Sequence, residues 1–304
     1  MAFKHGLSDN FAEALNDVYA KGGWWKRAVD DPDLIPAIRN EYVNVYCKGN
    51  SLWRIERRAN GFHVFTHFKY MLRNDPAPYV ESTAGADGEL DSLRKNLLIS
   101  SASDLTALKS AARAYASNEK SGVHQIAARN RNVIDLEVAF STLIRGGEEQ
   151  PADEEQHSVS RIDIVALDGR GERPRLVFYE AKTFDDSRLR SRTGQPEVLA
   201  QMARYEEHLD DHAPDLAESY RHVCKNLLAI RGFDERWSDR RNLLAKVVEL
   251  GLDVETKPFL VIFGYSDADW KSPAWEAQYR VLEKQLGANR VVKAGEARNI
   301  KLSA

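Results

Sequence analysis

The alternation of apolar and polar residues divides this chain into regions with different periods. Near the start, Asn10 to Tyr19 has helical spacing, and Trp24-Trp25-Lys26-Arg27 follows. Three short runs rich in aromatic and β-branched residues come next: Glu41 to Cys47, Leu52 to Arg57 and Phe62 to Phe68. Turn signals at Gly49-Asn50-Ser51 and Asn60-Gly61 separate them, which predicts an antiparallel meander. Between Asp91 and Ser117 the period changes again. Leu93, Leu97, Leu98, Leu105, Leu108, Ala112 and Tyr115 recur at roughly helical spacing and predict a connecting helical layer. The acidic, Gly- and Ala-containing segment Glu81 to Glu89 is the expected linker. No repeat at solenoid periods is visible.

The second half reads as alternating strands and helices. Gly146 to Glu155 is expected to be an acidic loop. Two apolar runs, Ser158 to Leu167 and Arg175 to Lys182, flank the Gly/Pro-containing turn Asp168 to Pro174, the pattern of a hairpin. A helix is expected over Gly194 to Leu209, further helices over Asp215 to Leu250, and a buried strand at Phe259 to Tyr265. A terminal helix, Trp275 to Leu286, closes the pattern. The reading is therefore α/β, with a mainly antiparallel β domain over residues 1–85, a helical connector over 86–120 and an α/β domain over 121–304.

The hairpin also carries the candidate chemistry. Glu180 and Lys182 are two apart on one strand and so share a face, while Asp163 on the partner strand can lie beside them. Taken singly, Glu180 and Lys182 read as a solvated charge pair at a strand end and Asp163 as a turn-side acid. Together, an Asp followed by Glu-x-Lys on paired strands resembles the PD-(D/E)XK nuclease superfamily, with Ile162 standing where the family's name has proline. Gln201-x-x-x-Tyr205 on the following helix, both on one face, is similar to the element of its RecB-like branch. The resemblance covers roughly residues 122 to 265.

This resemblance implies a restriction-endonuclease-like core, a mixed central sheet flanked by helices, acting as a metal-dependent deoxyribonuclease. A phosphodiester's negative charge repels nucleophiles, so a hard divalent cation must neutralise it and supply hydroxide. By resemblance Asp163, Glu180 and the Ala181 carbonyl would hold Mg2+ or Mn2+. Asn132-Val133-Ile134-Asp135-Leu136-Glu137-Val138-Ala139-Phe140 looks like the family's first core helix, and its Glu137 would complete the site. Asp135 is the alternative, but two residues away on a helix it faces elsewhere. Lys182 would position or deprotonate the attacking water, or stabilise the pentavalent phosphate, while Gln201 and Tyr205 would orient the lysine or the phosphate.

Composition narrows the partners. The chain has 304 residues, 43% of them hydrophobic and 29% charged, with a formal net charge of −3. No global basic field draws nucleic acid, so local patches must do so. The meander offers Arg54, Arg57, Arg58 and Lys69 interleaved with Trp53, Phe65 and Tyr70, which makes these four cations the expected nucleic-acid contacts. Cys47 and Cys224 are far apart without metal-ligand spacing, which argues against zinc and fits a reducing compartment. No run reaches membrane-spanning length and the N-terminus lacks an apolar core, so a cytoplasmic protein without a membrane partner is expected, with a homo-oligomer left open. The motifs GxxxxGK[ST], GxSxG and HExxH do not occur, leaving ATPase, serine hydrolase and zinc protease chemistry without support. The runner-up from another class is a nucleic-acid-binding or regulatory protein that keeps the fold without significant cleavage.

Overall fold

The computed structural model describes residues 3–71, 79–84, 90–92, 104–139, 161–191, 194–233 and 240–302. The expected acidic loop at 146–155, and Leu93, Leu97 and Leu98, lie outside them. The chain divides into two compact units, one of residues 4–120 and 219–249, the other of residues 1–3, 121–218 and 250–304. Residues 219–249 cluster with the N-terminal unit, so the two units are nearly equal in size. The described part of the expected connector, α3 (Leu105–Ala114), belongs to that same unit.

The N-terminal unit is a six-stranded antiparallel sheet in chain order: β1 (Ile35–Ile38), β2 (Tyr42–Cys47), β3 (Asn50–Arg58), β4 (Gly61–His67), β5 (Tyr79–Ala84) and β6 (Leu90–Ser92). Val43, Val45, Trp53, Ile55, Phe62, Val64 and Val80 are buried together with residues of α1 (Asp9–Lys21) and α2 (Trp24–Asp30). Phe11 meets Phe62 edge-on, and Trp24 meets both Trp53 and Phe62. The first hairpin turns at Lys48-Gly49, one position earlier than the sequence signal, because both residues take positive φ (52° and 74°) and Cys47 pairs with Asn50. Two left-handed residues match the strand twist in a two-residue turn. Glu81 to Ala84, read as the start of a linker, is strand β5, because its backbone completes the ladder begun by β4.

The other unit is built on a mixed sheet of β7 (Val133–Ala139), β8 (Arg161–Asp168), β9 (Arg175–Thr183), β10 (Asp253–Val254), β11 (Phe259–Phe263) and β12 (Val291–Ala294). The strand order is β12-β11-β9-β8-β7, with β10 also against β9. Strands β12, β11 and β9 run parallel, whereas β9, β8 and β7 are antiparallel. Central β9 is buried from Leu176 to Lys182. Each large apolar side chain there contributes about 1.5–3 kcal/mol, which offsets the cost of burying the two charged residues at its end. Helix α4 (Asn118–Arg129) approaches so closely that a Cβ on Gly122 would lie 2.1 Å from the Phe263 ring, so only glycine permits this packing. Helix α5 (Glu197–Ala229), 33 residues long and containing Pro214, lies over Glu180. Neither β12 nor the short β10 was visible in the sequence pattern, since each is too brief to show a period. Among the described residues no helix is long and apolar enough to cross a membrane.

Residues 133–139, expected to be helical, form strand β7. Short apolar runs fit both periods, and pairing with β8 decides the matter. Glu137 has φ 54°, a left-handed conformation that a non-glycine residue rarely adopts within a strand. Asp135 and Glu137 are therefore two apart on a strand, and the helical geometry that would turn Asp135 away does not apply.

The β8–β9 hairpin is pinned at its closed end by Asp168. Its buried carboxylate accepts from the Arg170 main-chain N–H (3.0 Å), from Arg170 Nε and Nη2 (2.9 and 2.7 Å) and from Arg175 Nη2 (2.7 Å). The Arg170 side chain, then its backbone N–H and Arg175, hold this acid far below the ordinary carboxylate range against the opposing effect of burial. A depressed folded-state pKa means that the unfolded chain takes up the proton first as pH falls. The stabilisation is thus fully present above about pH 4, the unfolded value, and disappears as pH drops through the folded one. Asp168→Asn should cost roughly 1–3 kcal/mol at pH 7. In denaturant titrations the gap between variant and wild type should shrink steadily below about pH 4. A gap that stays constant with pH would mean that packing, not charge, is what Asp168 contributes.

Candidate active site at the open end of the hairpin

The register set at Asp168–Arg175 carries the two strands to Ile164 opposite Tyr179, and one further step would set Asp163 against Glu180. The backbone pairing ends there, and a side chain takes over. The Ala181 N–H donates to Asp163 Oδ2 at 2.7 Å. Asp163 is thereby anchored between the strands, 9% exposed, beside Glu180 and Lys182, which are 1% and 2% exposed.

Lys182 Nζ forms a short ion pair with Glu180 Oε1 and donates to the Ala181 carbonyl at 3.2 Å. Gln201 Nε2 donates both to Glu180 Oε1 and to Tyr205 Oη, each at 2.8 Å, and the Tyr205 hydroxyl donates to the Arg161 main-chain carbonyl. Positions 201 and 205 stand one helical turn apart on α5, so one helix face reaches both β9 and β8. The sequence alone did not point to the Arg161 carbonyl as the end of this chain, because a main-chain acceptor leaves no signature in residue type. Asp186, just beyond β9, was also missed. Burial alone would raise its pKa, but hydrogen bonds from Arg188 and the charge of Lys182 bring it below the usual carboxylate range.

Extending the β7–β8 register, in which Leu136 faces Ile164 and Val138 faces Ile162, places Glu137 across from Asp163. Even so, among the described residues no three His, Cys, Asp or Glu side chains form a group that could hold an ion, so Glu137, Asp163 and Glu180 are not gathered into a closed set. The donor chemistry still fits a hard cation. Mg2+ commonly keeps several waters and takes one or two carboxylates, and Asp163 and Glu180 are two such ligands on adjacent strands. The thiols offer no alternative nucleophile. Burial pushes Cys47 up to about 11 and Cys224 higher still, so both stay protonated at neutral pH.

In the N-terminal unit, Arg54 pairs with Glu56, and Arg58 with both Glu56 and Glu81. Arg54 also stacks over Tyr42 at 4.1 Å and Arg58 over Phe65 at 5.2 Å. These two arginines belong to a balanced network on the sheet. Lys69 lies over the Tyr70 ring at 5.1 Å, and Arg57 is exposed.

Comparison with protein-family models, with curated proteins and with solved structures found no match. What the site can do therefore rests on its own chemistry.

Proposed function

We propose that this protein is a metal-dependent nuclease, hydrolysing phosphodiester bonds of DNA through a restriction-endonuclease-like core of the PD-(D/E)XK type. One observation carries the reading. Two buried carboxylates from adjacent strands, Asp163 and Glu180, meet a buried lysine where the hairpin ladder ends, and Gln201 and Tyr205 tie the arrangement together. Burying three ionised groups costs several kcal/mol each, and packing alone would favour apolar residues there.

Asp163, Glu180 and the Ala181 carbonyl would hold Mg2+ or Mn2+, with Glu137 as a further acidic group across from Asp163. Such a cation, when bound, supplies charge neutralisation and a water of lowered pKa. Lys182 is placed to position the water or to meet the charge that develops on the phosphate. Its present pairing with Glu180 keeps the ammonium oriented until substrate arrives. Gln201 holds Glu180 from the helix side, which fixes the carboxylate and lowers the cost of organising the site. Arg54, Arg57, Arg58 and Lys69 remain the proposed nucleic-acid contacts of the other unit. Arg54 and Arg58 would have to exchange carboxylate partners for phosphates.

The second reading, a binding or regulatory protein without significant cleavage, draws on the engagement of Lys182 with Glu180. Incubating the purified chain with labelled linear DNA separates the two. Cleavage with Mg2+ or Mn2+ that stops in chelator is expected. DNA retained in a binding assay but left intact with both metals would favour the second reading.

A further inference from the structure

Arg161 begins strand β8 two residues before Asp163, and strand alternation puts the two on one face. Its main-chain carbonyl accepts from Tyr205, whose hydroxyl is bonded by Gln201, which in turn holds Glu180. The position of Arg161 is thus set relative to the acidic centre by a continuous hydrogen-bond chain, even though its side chain takes no part in it. That side chain is half-buried and makes no ion pair or side-chain hydrogen bond among the described residues. Elsewhere in this unit, Arg170, Arg173, Arg175, Arg188, Arg290 and Arg298 each meet a carboxylate. A half-buried guanidinium without a carboxylate partner among the described residues, on the strand face that carries Asp163, suits an anion that arrives later. With the metal and Lys182 assigned to the reacting phosphate, a neighbouring phosphate of the backbone would need a cation of its own.

We propose that Arg161 is a phosphate-binding residue of this site, its guanidinium taking a non-bridging oxygen pair of the nucleic-acid backbone next to the scissile group. The inference rests on the nuclease reading and adds to it a substrate contact outside the Asp/Glu-x-Lys and Gln/Tyr elements. Guanidinium geometry suits bidentate phosphate binding, which an ammonium reproduces only as a point charge.

The test uses the full chain carrying Asp163→Asn, expected not to cleave, and measures fluorescence anisotropy of a labelled DNA oligonucleotide across a salt series. Adding Arg161→Gln should weaken binding about ten-fold or more and flatten the log-log salt dependence by about one unit. Arg161→Lys should restore the slope but only part of the affinity. Tyr205 bonds the main chain of residue 161, so both substitutions leave that clamp in place. Unchanged affinity and slope in the Gln variant would overturn the assignment, as would a Lys variant indistinguishable from Gln. A wild type that neither cleaves nor binds DNA would instead overturn the nuclease reading beneath it, and this inference with it.

Discussion

Lys182→Met is expected to abolish DNA cleavage and also to cost the sheet unit about 3–5 kcal/mol, because it strips a buried carboxylate of its charge partner. Glu180 is 1% exposed and takes both Lys182 and Gln201 on Oε1. With the ammonium gone, a full negative charge in a low-dielectric interior loses the cation it is paired with. The double variant Glu180→Met/Lys182→Met should behave differently. Replacing both members of a buried pair by apolar groups of similar volume is often neutral or stabilising, so stability should return to near wild type or above while cleavage stays absent. Hydrogen exchange of the β8 and β9 amides under denaturant reads the local stability without assuming that two units unfold together. Equal protection in Lys182→Met and wild type would show that the pair is not held ionised, and cleavage by that variant would remove Lys182 from the reaction.

Asp163→Asn should lower kcat/KM by at least about a thousand-fold, roughly 4 kcal/mol of transition-state stabilisation, with little change in fold. The amide oxygen of asparagine can still accept the Ala181 N–H that Asp163 now takes at 2.7 Å, so the strand ends stay joined. What is lost is the anionic ligand. Titration with Mn2+ should therefore show weaker metal binding by the variant, independently of any turnover. Gln201→Leu should act more mildly, reducing kcat while leaving KM close to wild type, since it positions Glu180 rather than binding substrate. Wild-type rates from a folded Asp163→Asn protein would move the site elsewhere.

These expectations lean on a part of the molecule that was unusually legible in the chain. The 158–182 segment announced itself because a period of two, a Gly/Pro turn and strand-forming residues all agree locally, and the side chains at 163, 180 and 182 follow from alternation alone. The meander was readable for the same reason, and its first turn missed by one residue because Lys48, with no special turn propensity, accepts a positive φ beside Gly49.

Where periods conflict or lengths are short, tertiary structure had the decision. Residues 133–139 carry an apolar pattern that suits helix or strand, and only the hydrogen-bonding edge of β8 makes them β7. The helix expected over Gly194 to Leu209 runs instead from Glu197 to Ala229, because burial of Leu209, Leu216 and Tyr220 on either side of Pro214 outweighs one missing hydrogen bond. Residues 219–249 join the N-terminal unit through contacts far away in sequence, such as Asn226 with the Leu7 main chain, which no local pattern encodes. By itself, then, the sequence determined which residues carry charge on which strand face, since that is set by covalent spacing. Only the folded chain decided which of those charges meet, because a pairing such as Gln201 with Glu180, or Tyr205 with the Arg161 carbonyl, depends on register and helix placement summed over the whole sheet.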